Sequence, residues 1–128
     1  MAVSAQFNDF VLDLLGTVCV VRARRMFGGV GYYADELFFA IADDDVLYFR
    51  ADEASRAQFE AEGMAAFAPL GPGTKSMNYF AVPPRLYEDA EELAVWMRRA
   101  LAAARAGRVK GRARARRAPR SGRLPRAP

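Results

Sequence analysis

Residues 37–50 read Leu-Phe-Phe-Ala-Ile-Ala-Asp-Asp-Asp-Val-Leu-Tyr-Phe-Arg, and they set the architecture of the chain. Two apolar runs, rich in aromatic and β-branched residues that favour extended backbone, flank Asp43-Asp44-Asp45. A short polar interruption between two such runs is typical of a hairpin turn. The stretch therefore predicts two antiparallel strands joined by a solvated turn.

Further strands extend this hairpin on both sides. Upstream, Asp35-Glu36 forms a second polar interruption, and Gly28-Gly29 separates a run over 18–27 from one over 30–33. Downstream, a run over 77–82 ends at Pro83-Pro84, which cannot continue a central strand. Both faces of the resulting sheet are apolar, so helices must cover at least one of them.

Helical periodicity appears in three places. The first helix spans 4–15, with Ser4 as its N-cap and Gly16 as a left-handed stop. The second runs from Asp52 to Gly63 with one apolar anchor, Phe59. The third begins near Asp89, and its apolar face comprises Leu93, Trp96, Met97, Ala100, Leu101 and Ala104. This order predicts an α+β two-layer sandwich over residues 1–107, in which three helices flank an antiparallel sheet of about five strands.

Charge divides the chain of 128 residues into two parts. Residues 1–107 contain 10 basic and 15 acidic residues, whereas residues 108–128 contain nine basic residues and no acidic one. Such a segment has too little apolar content to fold alone, so we expect a disordered tail that binds polyanions such as nucleic acid without reading sequence. The alternative is an extension without function. The basic residues of the tail are Arg108, Lys110, Arg112, Arg114, Arg116, Arg117, Arg120, Arg123 and Arg126.

Several kinds of chemistry lack their usual residues. The chain has no histidine, which excludes Ser/His/Asp and Cys/His catalysis and His-ligated zinc. Its one cysteine, Cys19, cannot form an internal disulfide and is expected to be a small buried apolar residue. No apolar run approaches the length that crosses a bilayer, and no signal peptide begins the chain. We therefore expect a cytoplasmic, non-enzymatic protein without catalytic, cofactor-binding or metal-binding residues.

Three stretches partly resemble known binding motifs. Gly73-Thr74-Lys75-Ser76 lacks the spacing of a phosphate-binding loop. Asp43-Asp44-Asp45 lacks the alternation of a calcium loop. Arg22, Arg24 and Arg25, beside Gly28-Gly29, form the one basic cluster of the body; they favour a solvated strand edge, with small-molecule anion binding or a small enzyme as the alternative.

Several ordered blocks resemble the TfoX/Sxy N-terminal domain family. Together they cover about residues 5–105. The blocks are residues 24–33, residues 47–52, the pattern of Phe59, Gly63 and Phe67, residues 75–83, and Trp96 with Ala100. The positions that match the family signature, and that we expect to be structural, are Arg25, Met26, Phe27, Gly28, Gly29, Tyr79 and Pro83.

This resemblance implies a secretion-chaperone-like α+β fold without known enzymatic activity. Members named for natural competence regulate transcription together with a cyclic-AMP-responsive activator, and they usually have a second, C-terminal domain, whose place is taken here by the basic tail. We therefore expect a bacterial regulatory or adaptor protein that binds a protein partner, with a transcription activator as one candidate. A homodimer formed through the second face of the sheet is a further expectation.

Overall fold

The computed structural model describes residues 3–26, 28–68 and 78–117. Within them, three α-helices and a five-stranded antiparallel sheet confirm the predicted α+β fold. The elements, in chain order, are α1 (Ala5–Gly16), β1 (Arg22–Met26), β2 (Gly29–Ala34), β3 (Leu37–Asp43), β4 (Val46–Arg50), α2 (Glu53–Ala61), β5 (Tyr79–Ala81), a 3₁₀ helix (Pro84–Glu88) and α3 (Ala90–Arg117).

The sheet is a meander in which each strand pairs with the next one along the chain. Two-residue turns join β2 to β3 and β3 to β4, and both of their central residues have positive φ: 48° and 70° at Asp35 and Glu36, 53° and 56° at Asp44 and Asp45. These are the left-handed values of a type I′ turn, whose twist matches that of the strands it connects. Both predicted hairpin turns are confirmed. The Asp45 carboxylate also accepts a 2.8 Å hydrogen bond from the N–H of Ser4, which fixes the start of α1 to this turn.

The end of α1 differs from the prediction in two respects. Gly16 is the last helical residue, and the stop is Thr17, in a right-handed conformation with its hydroxyl 2.8 Å from the carbonyl oxygen of Leu14. The predicted left-handed glycine stop is therefore wrong. The N–H groups of Val18 and Cys19 also bond back to the carbonyl of Leu15. Since these groups close the helix, they are not free to pair in a sheet, and β1 begins at Arg22 and not at residue 18.

The predicted helix starts are confirmed. The Ser4 hydroxyl caps α1 by accepting from the N–H of Phe7 at 3.1 Å. At α2, Asp52 and Ser55 form a reciprocal capping box. The hydrogen bond from the Ser55 N–H holds the pKa of the Asp52 carboxyl below its ordinary value.

The core lies between one face of the sheet and the helices. Strand register places Tyr32, Ala40, Phe49 and Phe80 in one row across β2 to β5, on the face that α2 and α3 cover. Phe59 of α2, the predicted anchor, is 3% exposed. Its ring lies 5.5 Å from that of Phe80 and 4.9 Å from that of Trp96 on α3. Leu101 on the predicted apolar face of α3 is half-buried. The other residues of that face are buried, as predicted: Leu93, Trp96, Met97, Ala100 and Ala104.

Arg85, in the 3₁₀ helix, joins α2 to α3. Its guanidinium binds Glu62 after α2 and Glu92 in the first turn of α3, with Nη1 2.8 Å from a Glu92 oxygen. Glu92 also accepts a hydrogen bond from the Trp96 indole at 3.2 Å. The bonds from Arg85 lower the pKa of both glutamates, and the two carboxylates raise the pKa of Arg85.

This network predicts a pH dependence of stability. Because Glu62 and Glu92 have lower pKa values in the fold than the 4.5 of an ordinary glutamate, the unfolded chain takes up protons first as the pH falls. Their contribution is therefore present above pH 4.5 and is lost as the pH falls through the lowered pKa values. We expect Arg85→Gln to flatten the decline of the free energy of unfolding below pH 4.5, measured by urea titration between about pH 3 and 7.

Arg98→Gln is the matched control, since it removes the same charge from α3 at a residue that forms no ion pair with the described carboxylates. We expect this variant to keep the wild-type pH dependence. If the free energy of unfolding falls equally steeply below pH 4.5 in Arg85→Gln and in the wild-type protein, the ion pairs of Arg85 are not the cause of this pH dependence.

The last helix is longer than predicted. We expected the chain to be unfolded from Arg108, but α3 continues without a break to Arg117, so that prediction is wrong for 108–117. Alanine and arginine are among the best helix formers, and adding turns to an existing helix avoids the unfavourable nucleation step. Residues 118–128, including Arg120, Arg123 and Arg126, lie outside the described residues. The division of the chain into a domain and a basic tail stays a prediction.

Candidate functional site

The distal part of α3 extends beyond the core. Ala103 and Ala104 are the last buried residues of α3 up to Val109, at 3% and 6% exposure, whereas Arg105 and Arg108 are exposed and Val109 is 58% exposed. From that point the helical backbone contains six predicted nucleic-acid-binding residues and no acidic residue: Arg108, Lys110, Arg112, Arg114, Arg116 and Arg117. We call residues 108–117 the cationic extension of α3. Because residues 108–117 are helical, their basic residues lie along one helix that continues from the acidic body of residues 1–107.

Gly107, the residue before this extension, lies against the side chain of Arg50. Arg50, the last residue of β4, places its guanidinium 5.8 Å from the ring centroid of Tyr79. A β-carbon at Gly107 would overlap Nη2 of Arg50 and lie 3.2 Å from its Cζ. The backbone of α3 therefore lies close to the guanidinium, and a larger residue at 107 would require the end of the Arg50 side chain to move. The buried Nε of Arg50 has no hydrogen-bond partner among the described residues.

Sequence reasoning missed this role of Arg50, although the residue lies within one of the blocks that resemble the family. Gly107 comes much later in the chain, on a different element, so local patterns could not pair the two. The one available signal was a single arginine at the end of an apolar strand, which usually needs a partner for its charge.

An aromatic row lies on the face of the sheet opposite the core. Tyr33 stacks on Phe38 at 5.1 Å, and Phe38 contacts Tyr79 at 5.5 Å. The Tyr79 hydroxyl donates to the carbonyl of Phe38 at 3.3 Å, and burial raises its pKa despite the nearby Arg50. Tyr79 is only 2% exposed. Tyr33 and Phe38 are half-buried, so the row is partly exposed at that end. The homodimer through this face stays a prediction.

Arg22, Arg24 and Arg25 are all exposed on β1, but they do not form one site. Register pairs Arg22 and Arg24 with Tyr33 and Gly31, on the face opposite the core, whereas Arg25 pairs with Val30 on the core side. Arg22 lies 5.0 Å from the Tyr33 ring centroid. The division between two faces weighs against the small-molecule anion site that we considered from sequence.

Two shallow depressions lie elsewhere on the described surface, and neither includes these arginines. The first, of about 390 Å³, lies between α1 and α3 and is lined by Thr17, Val18, Ala90, Glu91, Ala94 and Arg98. The second, of about 210 Å³, lies at the start of α2 and is lined by Ala51, Asp52, Glu53, Arg56, Asn78 and Phe80.

Geometry explains the two glycines of the family signature. Gly28 has a φ of 81°, in the left-handed region, and a β-carbon on Gly29 would lie 2.6 Å from the carbonyl oxygen of Ala42. Met26 packs its thioether against Gly31, and Pro83 precedes the 3₁₀ helix. Tyr79 is in the aromatic row, and Arg25 is exposed on β1. Phe27 and residues 69–77, which include Lys75, lie outside the described residues.

The described part of the chain shows no constellation for metal chemistry. No group of three or more cysteine, aspartate or glutamate residues there is arranged to hold a metal ion. Cys19 is half-buried, and burial together with the nearby Asp35 raises the pKa of its thiol, which favours the less reactive protonated form. Within the same described residues, no helix is both long and apolar enough to cross a membrane.

A comparison with protein families matches most of the body of the chain. A family model described as the TfoX N-terminal domain matches residues 13–104, from within α1 to Ala104 of α3. No curated protein matched the chain. The matched region therefore coincides with the packed body, and the cationic extension begins just outside it.

Proposed function

Because the chain belongs to the TfoX N-terminal domain family, a family of regulatory or competence-related domains in general, we propose that it is a non-enzymatic regulatory or adaptor protein. Its folded body binds a protein partner, for which a transcription activator is one candidate. Its cationic extension binds nucleic acid through the phosphate backbone. This assignment makes the protein a connector between another protein and DNA.

One observation supports the nucleic-acid part of the proposal most strongly: the cationic extension places six basic residues on one helix beyond the core. Helical spacing of three, four and four residues aligns Arg105, Arg108, Arg112 and Arg116 along one stripe, while Lys110 and Arg114 fall elsewhere around the axis. Charges spread around a helix favour phosphate contacts over a single face that reads base edges. We therefore expect affinity without sequence preference.

The test compares two triple variants of the full chain that lose the same net charge. Arg108→Gln/Arg112→Gln/Arg116→Gln neutralises three of the four stripe residues with a good helix former, and Arg22→Gln/Arg24→Gln/Arg25→Gln neutralises β1 instead. We measure affinity for two unrelated DNA duplexes by fluorescence anisotropy over a salt series. The wild-type slope of log affinity against log salt should be roughly −5, as expected for five or six phosphate contacts.

The extension variant should bind about a hundredfold more weakly at physiological salt and reduce the magnitude of the slope by about 3, close to one unit for each contact removed. The β1 variant should keep the wild-type slope, and both duplexes should bind equally. Equal losses in the two variants would show that net charge alone governs binding and would overturn the proposal, as would wild-type affinity in the extension variant.

A further inference from the structure

The outer edge of β1 is the open edge of the sheet in the described part of the chain. At the opposite edge, residues 65–67 run beside β5: the Phe67 N–H donates to the Tyr79 carbonyl at 2.7 Å, and the Ala81 N–H donates to the Ala65 carbonyl at 3.0 Å. β1 pairs with β2 on one side, and no other described residue forms a backbone hydrogen bond with Arg22–Met26. Alternate N–H and C=O groups of β1 therefore face outward, ready for another strand.

This open edge is positively charged although the body is acidic. Arg22, Arg24 and Arg25 are exposed, and none forms an ion pair with a described carboxylate. Because Arg22 and Arg24 lie on one face and Arg25 on the other, an added strand would meet a guanidinium on each side of the sheet. Just upstream, Val20 is 90% exposed and adds an apolar contact at the end of the edge.

These charges select among the ligands of an open strand. A second copy that pairs its own β1 here would place arginines opposite arginines, and like charges across a strand pair are destabilising. Nucleic acid would satisfy the guanidinium groups but would leave the outward N–H and C=O groups of β1 without strand partners. An extended acidic peptide satisfies both sets of groups at once.

We propose that β1 binds an extended acidic segment of a partner protein, which adds to the sheet as a sixth strand. The segment needs acidic side chains at alternate positions, because Arg22 and Arg24 are two residues apart on one face. This inference rests on the proposed function, in which the body binds a protein, and it names the surface and the chemistry of that partner.

The experiment uses the full chain and a labelled eight-residue peptide of alternating glutamate and valine, followed by fluorescence polarisation at low salt. The peptide should bind, and Arg22→Gln/Arg24→Gln/Arg25→Gln should weaken binding about tenfold, since Arg22 and Arg24 lose their charge pairs with the glutamates. The variant Arg108→Gln/Arg112→Gln/Arg116→Gln, with the same net charge, should bind the peptide like the wild-type protein. Circular dichroism verifies that both variants are folded.

Two altered peptides test the strand itself. Proline in place of a central valine removes a backbone donor and should abolish binding, and lysine in place of every glutamate should do the same. Equal binding of the proline peptide would indicate charge attraction without strand addition and would overturn the inference, as would no binding of the original peptide. A loss of DNA affinity in the β1 variant would make nucleic acid the ligand of this edge. DNA binding by the cationic extension is measured in a separate experiment, so that proposal and the proposal of peptide binding at β1 can fail independently.

Discussion

Replacing Trp96 with alanine should lower the free energy of unfolding by about 3–5 kcal/mol, the range for removing a large aromatic side chain from a core. Trp96 is 5% exposed, and its ring packs edge-on against Phe59 at 4.9 Å. Its indole N–H also bonds to Glu92, which Arg85 holds from the other side. The substitution therefore leaves a cavity where α2, α3 and the sheet meet, and it removes a donor from the Arg85 network.

The measurement is urea unfolding followed by far-UV circular dichroism, because Trp96 is the single tryptophan and its fluorescence is lost in the variant. Val95→Ala is the control: it is adjacent on α3 but 39% exposed, and it should cost less than about 1 kcal/mol. Trp96→Phe should fall between the two, since it keeps a ring beside Phe59 but loses the bond to Glu92. Similar losses for Trp96→Ala and Val95→Ala would show that the helix does not pack as described.

The face of α3 that contains Trp96 could be predicted because helical burial follows the local period of 3.6 residues. Leu93, Met97, Ala100 and Ala104 are buried for the same reason. The contact between Trp96 and Phe59 could not be predicted, because periodicity shows which side of a helix is buried but not which residue of another helix lies there. The same limit hid the Arg50–Gly107 contact, although each residue was visible in the sequence.

The cationic extension shows where compositional reasoning fails. Low apolar content and high charge predict that a segment cannot form its own core, and residues 108–117 fit that description. The prediction of disorder nevertheless does not follow, because an extension of a packed helix needs no core of its own and starts from turns that already exist. Alanine and arginine then favour helix at each added residue. A basic segment directly after an amphipathic helix should therefore be read as its continuation until a proline intervenes.

The helical form of the extension also changes how the proposed nucleic-acid contact works. A disordered tail would lose backbone freedom when it binds, whereas a preformed helix has already lost it. The extension continues the same α-helix that packs on the sheet. The charges that we propose to contact DNA therefore lie on an element that the core positions.

Gly29→Ala should lower the free energy of unfolding by about 2–3 kcal/mol, toward the upper end of what overpacking costs. A β-carbon at this position would lie 2.6 Å from the carbonyl oxygen of Ala42, so relief requires β2 and β3 to move apart. At Gly31 the same change meets the end of the flexible Met26 side chain and the ring of Phe38, which makes Gly31→Ala the milder of the two. Glycine at residue 29 is therefore required by the close approach of two backbones.

Gly16→Ala is the matched control, because this glycine is the last residue of α1 and a β-carbon there would have no neighbour within 4 Å. Alanine favours helix over glycine, so the substitution should stabilise the protein by up to about 1 kcal/mol. The two glycine substitutions are thus expected to shift the urea midpoint in opposite directions. A destabilisation by Gly16→Ala equal to that by Gly29→Ala would mean that the close contact between β2 and β3 is not what selects glycine at residue 29.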